Sequence, residues 1–440
     1  MVSTIVKLLE EDDEDQSATV NQTAKRIRNK SIKKQLLKSS KSVCQNVSSE
    51  SEVEQSSSLL RSIAAKPAEI SEEMQEELME TTKKMLENIK TNDLPVSATV
   101  AKDILESTTN VMLATKVTEN GTVSTEDSAS EANKLTTEEK TRRANLAKQY
   151  TKTLSDVTTS LAKSLVPGES TTISTGDVEL VTEKQYTDSM KSAPTTFTIN
   201  TTSSGSSNKP SPSFTVDPNV FSTSNFTGVE ILTTEFYKMK VNIFSFAEKN
   251  TTKTSSPESE IVVLSFKKDD GSEIKVNGSA PIDITIPIKE DTTATIPTSS
   301  PTAAPTAPGK KAVNYTRKCR YFDESRDEWS TGGCTVKETH STHTVCTCTH
   351  LTAFSSADQE TESEDSQESA AESSGEAAGK KAVKLLIVFI VIAVVGGLFV
   401  GGAAAWKYMT GSRAQVGAMV PENSDVELSP VGRPGEQPTV

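Results

Sequence analysis

Residues Cys319-Arg320-Tyr321-Phe322-Asp323, Trp329-Ser330-Thr331-Gly332-Gly333-Cys334 and Cys346-Thr347-Cys348-Thr349-His350-Leu351-Thr352-Ala353-Phe354 decide how this chain is read. The stretch holds four of the five cysteines, all three histidines (His340, His343, His350) and one of the two tryptophans. Cys346 and Cys348 are two apart. On a strand they share a face, and each can reach one upstream cysteine. Four cysteines allow three pairings, and spacing does not choose among them. A zinc site built on Cys346, Cys348 and His350 is the competing reading. One-residue gaps chelate a single tetrahedral ion poorly, so disulfides are preferred and no metal or other cofactor is expected.

Outward from this cluster the chain changes character. Upstream, from about Val53 to Val166, apolar residues recur at helical spacing. Ile70, Met74, Leu78, Met85 and Ile89 make one stripe, and Val100, Ile104, Val111 and Met112 a second. Leu146, Tyr150, Leu154, Val157, Leu161 and Leu165 make a third, opened by a capping-box pattern at Thr136 and Glu139 and ended by Pro167-Gly168. After Pro167 the period becomes two. Ile261–Phe266 reads as a buried strand returning through Asp269-Asp270-Gly271-Ser272 to Ile274–Val276. Ile282–Ile288 alternates, and Val229–Leu232 and Val241–Phe244 read as further strands. The expected fold class is α+β, a helical subdomain (53–168) followed by an antiparallel β-sandwich (169–356) and then one transmembrane helix. Residues 1–52, with a basic patch from Lys25 to Lys34, read as a solvated helix or a disordered segment.

The chain has 440 residues, of which 34% are apolar and 5% aromatic, and a formal charge of -13. Eight acids and no base lie between Asp358 and Glu376, which marks 357–384 as a solvated acidic linker and argues against nucleic acid as a partner. Leu385–Trp406 carries no charge. At about 1.5 Å per residue its 22 residues span roughly 33 Å, enough for a bilayer core of about 30 Å. Flanking lysines are nearly symmetric, so orientation rests on Asn-x-Ser/Thr sequons. They occur at Asn21, Asn29, Asn46, Asn120, Asn200, Asn225, Asn250, Asn277 and Asn314, and none follows the span. The last six are the expected glycosylation sites. The expectation is a plasma-membrane protein with an extracellular N-terminal part and a cytoplasmic tail (407–440). Gly397 and Gly401 share a face of the span and could pair two copies as a homodimer. The opening residues are too short and interrupted an apolar run for a signal peptide. A start upstream of Met1 is therefore expected, with a partner there for the odd cysteine, Cys44.

The cluster Cys…Trp-x-x-x-Gly-Cys…Cys-x-Cys-x-His-Leu-Thr-x-Phe resembles the GPS motif, carried by Trp329, Gly333, Cys334, Cys346, Cys348, His350, Leu351, Thr352 and Phe354. That motif closes the GAIN domain of adhesion G-protein-coupled receptors and polycystin-1-like proteins. The resemblance implies the pairs Cys319–Cys346 and Cys334–Cys348, and a self-cleavage at Leu351-Thr352. In that reaction Thr352 is the nucleophile and His350 the base, once per chain rather than with turnover. It also implies an adhesion or force-sensing role with an extracellular ligand, and a C-terminal fragment that partners the rest after cutting. Two departures stand out. Phe322 occupies a position where the family often has Trp. Beyond Phe354 the polar run Ser355-Ser356-Ala357-Asp358 suggests a short strand that grips weakly. A non-cleaving adhesive stalk, or a fragment of a larger polycystin-like channel or receptor, are the competing readings.

Overall fold

The computed structural model describes residues 19–118, 120–124, 128–199, 210–249, 259–288 and 314–361. Helices come first: α1 (Thr19–Gln45), α2 (Glu50–Ala64), α3 (Glu72–Thr91), α4 (Ala98–Ala114), α5 (Ser128–Lys134) and α6 (Thr137–Ala162). Their starts are written locally. Ser49, Ser71, Ser97 and Thr136 are extended, and each side chain accepts from the backbone N–H three residues on. Such a cap satisfies one orphan donor and stabilises a helix by ~1 kcal/mol. The box at Thr136 is half formed. Its hydroxyl accepts from Glu139 N at 3.1 Å, while the Glu139 carboxylate turns to Arg142 and Arg143. The expected stripes are buried, from Ile70 to Ile89, Val100 to Met112 and Leu146 to Leu161, and they meet in one core. Leu165, at the end of the third stripe, is only partly buried.

The reading of residues 1–52 as solvated is corrected for α1. Leu37 and Cys44 are fully buried there. The helix docks through charge as much as through apolar surface. Lys33 pairs with Glu69 at 2.6 Å in a nearly enclosed site, Lys34 pairs with Glu73, and Lys41 with Glu77 at 3.1 Å. Cys44 is enclosed against Ser40 and Ser56, and burial pushes its thiol pKa up. It is a core residue of the bundle.

Thirteen strands follow among the described residues: β1 (Ser170–Ser174), β2 (Val178–Tyr186), β3 (Thr195–Thr198), β4 (Ser213–Val216), β5 (Ile231–Met239), β6 (Ile261–Lys268), β7 (Glu273–Ile274), β8 (Asn277–Pro287), β9 (Asn314–Asp323), β10 (Glu328–Ser330), β11 (Cys334–Thr339), β12 (His343–His350) and β13 (Ala353–Thr361). They form two antiparallel sheets. The larger runs β1-β2-β5-β6-β13-β9-β10 with β7 on β6; the smaller runs β11-β12-β8-β4-β3. Phe214, Phe236, Phe266, Phe354, Ile282 and Ile284 fill the space between them. The outer face of the larger sheet joins the helical core through Leu180, Tyr237, Met239, Ile261 and Val263. A sheet covered on both faces needs strands that are apolar throughout, which is why Ile261–Leu264 is continuous rather than alternating.

Two strand expectations change. Only Ile231 and Leu232 of Val229–Leu232 are in a strand, and Val241–Phe244 is a bend and turn. The Asn242 carbonyl oxygen of the side chain accepts from Phe244 N at 3.0 Å and turns the chain there. Among the described residues no helix is long and apolar enough to cross a membrane. The apolar run Leu385–Trp406, its Gly397 and Gly401, the tail 407–440 and most of the acidic linker lie outside the described residues.

The helices and the larger sheet meet over a buried ion pair. Lys267 Nζ lies 2.8 Å from Glu235, both side chains being 2% exposed. Lys267 also donates to Ser155 O at 2.7 Å and Thr159 Oγ1 at 3.0 Å of α6, and Glu235 accepts from Thr158 and Ser265. Removing one partner strands a charge in the interface. Glu235→Leu or Lys267→Met alone is expected to lower the unfolding free energy by about 3–5 kcal/mol, and the two together by much less than the sum. Equilibrium denaturation of the four proteins measures this; additive losses would show the pair to be uncoupled.

Candidate functional site

The two disulfides build the frame of the site. Cys334 and Cys348 are direct partners across β11 and β12, with Cα atoms 4.2 Å apart. Cys319–Cys346, with Cα atoms 5.8 Å apart, ties β9 of the larger sheet to β12 of the smaller one. Cys346 and Cys348 share the inner face of β12, and both are fully buried. Closing loops of 27 and 14 residues removes unfolded-state entropy worth roughly 3 kcal/mol each.

His350 ends β12, and Ala353 begins β13. These strands belong to different sheets, so Leu351 and Thr352 are the whole crossover. The crossover is two residues long and bends at Thr352. Both of its ends are fixed: β12 by the disulfides and by β8, β13 by insertion between β6 and β9.

The His350 ring has walls on several sides. Tyr321 meets it edge-on at 4.2 Å, and Phe354 lies nearly parallel at 5.7 Å. Its Nε2 is 3.4 Å from Gly332 O. Gly333, at φ +72°, passes so close that a Cβ there would come within 3.1 Å of Thr349 Oγ1 and 3.4 Å of the imidazole Cδ2. Burial lowers the His350 pKa, and the Gly332 contact opposes this only in part. The ring is therefore held neutral at physiological pH. The Thr352 hydroxyl donates to Phe322 O at 3.1 Å. Phe322 is itself fixed in an aromatic cluster, stacked on Phe244 at 4.0 Å and edge-on to Trp329 at 5.7 Å. Phe here fills the role of a core aromatic, and the turn at Val241–Phe244 supplies its neighbour. His350 and Thr352 thus face two different carbonyls, and no hydrogen bond joins them.

The strand after the crossover is longer than its composition suggested. β13 has nine residues, and Phe354, Ser355, Ser356 and Ala357 are buried. It pairs with β9 from Phe354 to Thr361, into the stretch expected to be linker. Its serines are satisfied in pairs. Ser355 Oγ is 3.0 Å from Ser259 Oγ, Ser356 N donates to Ser259 Oγ at 2.8 Å, and Ser356 Oγ donates to Thr344 Oγ1 at 3.2 Å. Beside them Arg320 and Glu248 form a buried two-pronged ion pair, at 2.5 and 2.7 Å. Hydrogen-bonded hydroxyls can be buried at little cost, so a polar strand is gripped as an apolar one would be.

Residues 169–356 match the family model described as GPS, GAIN subdomain B. This segment is a GAIN subdomain B. No curated protein matches the chain. Within the GAIN subdomain B the histidines separate. His340 and His343 stack on one another at the far end of β12, about 23 Å along the strand from His350. Of the sequons, Asn46, Asn120 and Asn225 are exposed, whereas Asn29 is buried and donates to Glu69 at 2.9 Å, which closes it to a glycan in the folded protein. Asn277 and Asn314 begin β8 and β9, and Asn200 and Asn250 lie outside the described residues. The contributions of Tyr321, Gly332, Gly333 and the Phe322 carbonyl were not assigned from sequence. The left-handed Gly333 beside the half-buried imidazole is the most demanding of them. Gly333→Ala should cost about 1–2 kcal/mol of folding stability from the backbone alone, with displacement of the His350 ring in addition. A denaturant midpoint equal to wild type would show that the loop relaxes freely.

Proposed function

We propose that the crossover is a self-cleavage site, cut once per chain between Leu351 and Thr352. The observation that carries this is the placement of the bond, in a two-residue link between two anchored strands of different sheets, with a neutral imidazole on the residue before it. The Thr352 hydroxyl rotates away from Phe322 O and attacks the Leu351 carbonyl carbon, and His350 takes its proton. The tetrahedral adduct expels the Thr352 amide nitrogen, which leaves as an amine carrying that proton. An ester between Leu351 and Thr352 Oγ1 remains, and water hydrolyses it. A threonine hydroxyl is a weak nucleophile, so the base and the enforced proximity must supply the rate.

The reading extends to the whole chain. Exposed sequons and two disulfides support an extracellular setting, and the run Leu385–Trp406 supports a single span, giving a cell-surface glycoprotein that serves adhesion or senses pull. After the cut β13 stays between β6 and β9, so the C-terminal fragment remains bound to the rest. This replaces the weak grip expected from the polar sequence. One contact favours the competing stalk reading: the Thr352 hydroxyl rests on Phe322 O, and a chain held there would keep the motif without cutting.

Under denaturing conditions after deglycosylation, two bands are expected from wild type and one from Thr352→Ala, with the smaller wild-type fragment beginning at Thr352. A single wild-type band would leave the stalk. His350→Ala should slow cutting by about 10²–10⁴-fold. The pH profile follows from the direction of the His350 shift. Its folded pKa lies below the ordinary value of roughly 6.5, so the neutral base persists as pH falls to that value and is lost below it. Cutting by newly folded chain should therefore stay level through neutrality and decline only under more acid conditions. A decline already complete at pH 7 would exclude His350 as the base.

A further inference from the structure

The proposed reaction ends with a water molecule, and His350, Leu351 and Thr352 are each half-buried, so the surfaces that flank the crossover shape how it arrives. Tyr321, Phe354 and Gly333 cover part of the imidazole side. The space between the sheets is filled by Phe354 and the disulfides. On the opposite side Leu351, Thr352 and Ala353 all line a cavity of about 260 Å³ between α6 and the outer face of the larger sheet. Thr151 and Ser155 of α6 form one wall, and Tyr237 and Val263 the floor.

The chemistry of its rim decides what fills this cavity. Lys148 pairs with Asp327 at 2.9 Å, Lys152 with Asp156 at 3.2 Å, and Lys267 with Glu235, and each of the three lysines lines the space. Water in bulk takes about 30 Å³ per molecule, so several fit, and a polar rim gives them partners. An apolar cavity of the same size would stay dry.

We propose that this cavity is the inlet for the nucleophile of the second step, water in the native reaction and small amine nucleophiles such as hydroxylamine in the laboratory. It rests on the self-cleavage reading and adds a role for the helical subdomain, since Thr151 and Ser155 lie outside the matched residues 169–356. Water adds to the ester carbonyl carbon and the bond from that carbon to Thr352 Oγ1 breaks. Leu351 keeps the new oxygen as a carboxylate, one proton of the water returns to Thr352 Oγ1, and the other leaves to the Thr352 amine or to His350. No oxidant or cofactor takes part. The helical wall acts on hydrolysis alone, because the first step is internal to Leu351 and Thr352.

The test separates the two steps. Full-length chain is pulse-labelled during synthesis as wild type, Thr151→Phe, which fills the cavity, and Thr151→Ala, which widens it. Fragment formation is followed with and without hydroxylamine, before and after denaturation. The Phe variant should form fragment at least tenfold more slowly and accumulate an ester. Hydroxylamine should cut that ester quickly after denaturation and slowly in the folded state. The Ala variant should cut at least as fast as wild type and respond more to hydroxylamine while folded, which keeps the test decisive should the Phe variant misfold. Fragment formation at the wild-type rate by a folded Phe variant would overturn the inlet, as would slow cutting with no ester, since the first step would then be the one affected. An Ala variant whose folded-state response to hydroxylamine equals wild type would also overturn it. Wild-type chain that stays uncut and carries no ester would defeat the self-cleavage reading itself, and the inlet with it.

Discussion

Two neighbouring strands, β12 and β13, belong to opposite sheets and are joined by two residues. Much of the local structure exists to hold that short span. Cys319–Cys346 fixes the sheets to one another, Cys334–Cys348 fixes the hairpin that leads in, and insertion of β13 between β6 and β9 fixes the way out. The Leu351-Thr352 peptide therefore sits in the two-residue link between two anchored strands. Chemistry that needs a hydroxyl near its own preceding carbonyl gains from this arrangement, because the geometry is set by folding and not by a collision.

The aromatic and backbone groups around the crossover divide the work. The cluster of Phe322, Phe244 and Trp329 fixes the carbonyl that holds the Thr352 hydroxyl. Tyr321 from β9 and Phe354 from β13 pack on the imidazole from two strands of the larger sheet. The helical subdomain enters through α6, whose contact with the larger sheet is polar and buried at Lys267 and Glu235. Such a pair adds little net stability but penalises any other docking of the helix, which would leave a charge without its partner. The wall that α6 presents to the crossover is thereby set to one position.

Much of this was legible in the sequence. Helical stripes gave the buried faces of α3, α4 and α6, and the Ile261–Val276 hairpin and the shared face of Cys346 and Cys348 followed from strand periodicity alone. What could not be read has a common cause: polar residues satisfied by partners far away in the chain. Ser355 and Ser356 looked like the start of a linker because Ser259 and Thr344 are 96 and 12 residues away in sequence. Helix α1 looked solvated because its lysines are answered by acids 36 to 39 residues on. Local composition measures hydrophobicity, whereas burial depends on whether each polar atom finds a partner.

All four disulfide cysteines precede Leu351, and no cysteine follows Thr352 anywhere in the chain. Were the crossover cut as proposed, neither disulfide would join the two pieces. Their partnership is then governed by the lifetime of β13 in the larger sheet, and no redox change in the surroundings can act on it directly. Withdrawal of β13 would expose the edges of β6 and β9 and unpair the buried hydroxyls, while the severed backbone removes the tether that once returned the strand to its place. A molecule cut there would act as a device with a memory: intact until the strand leaves, and unable to restore itself afterwards.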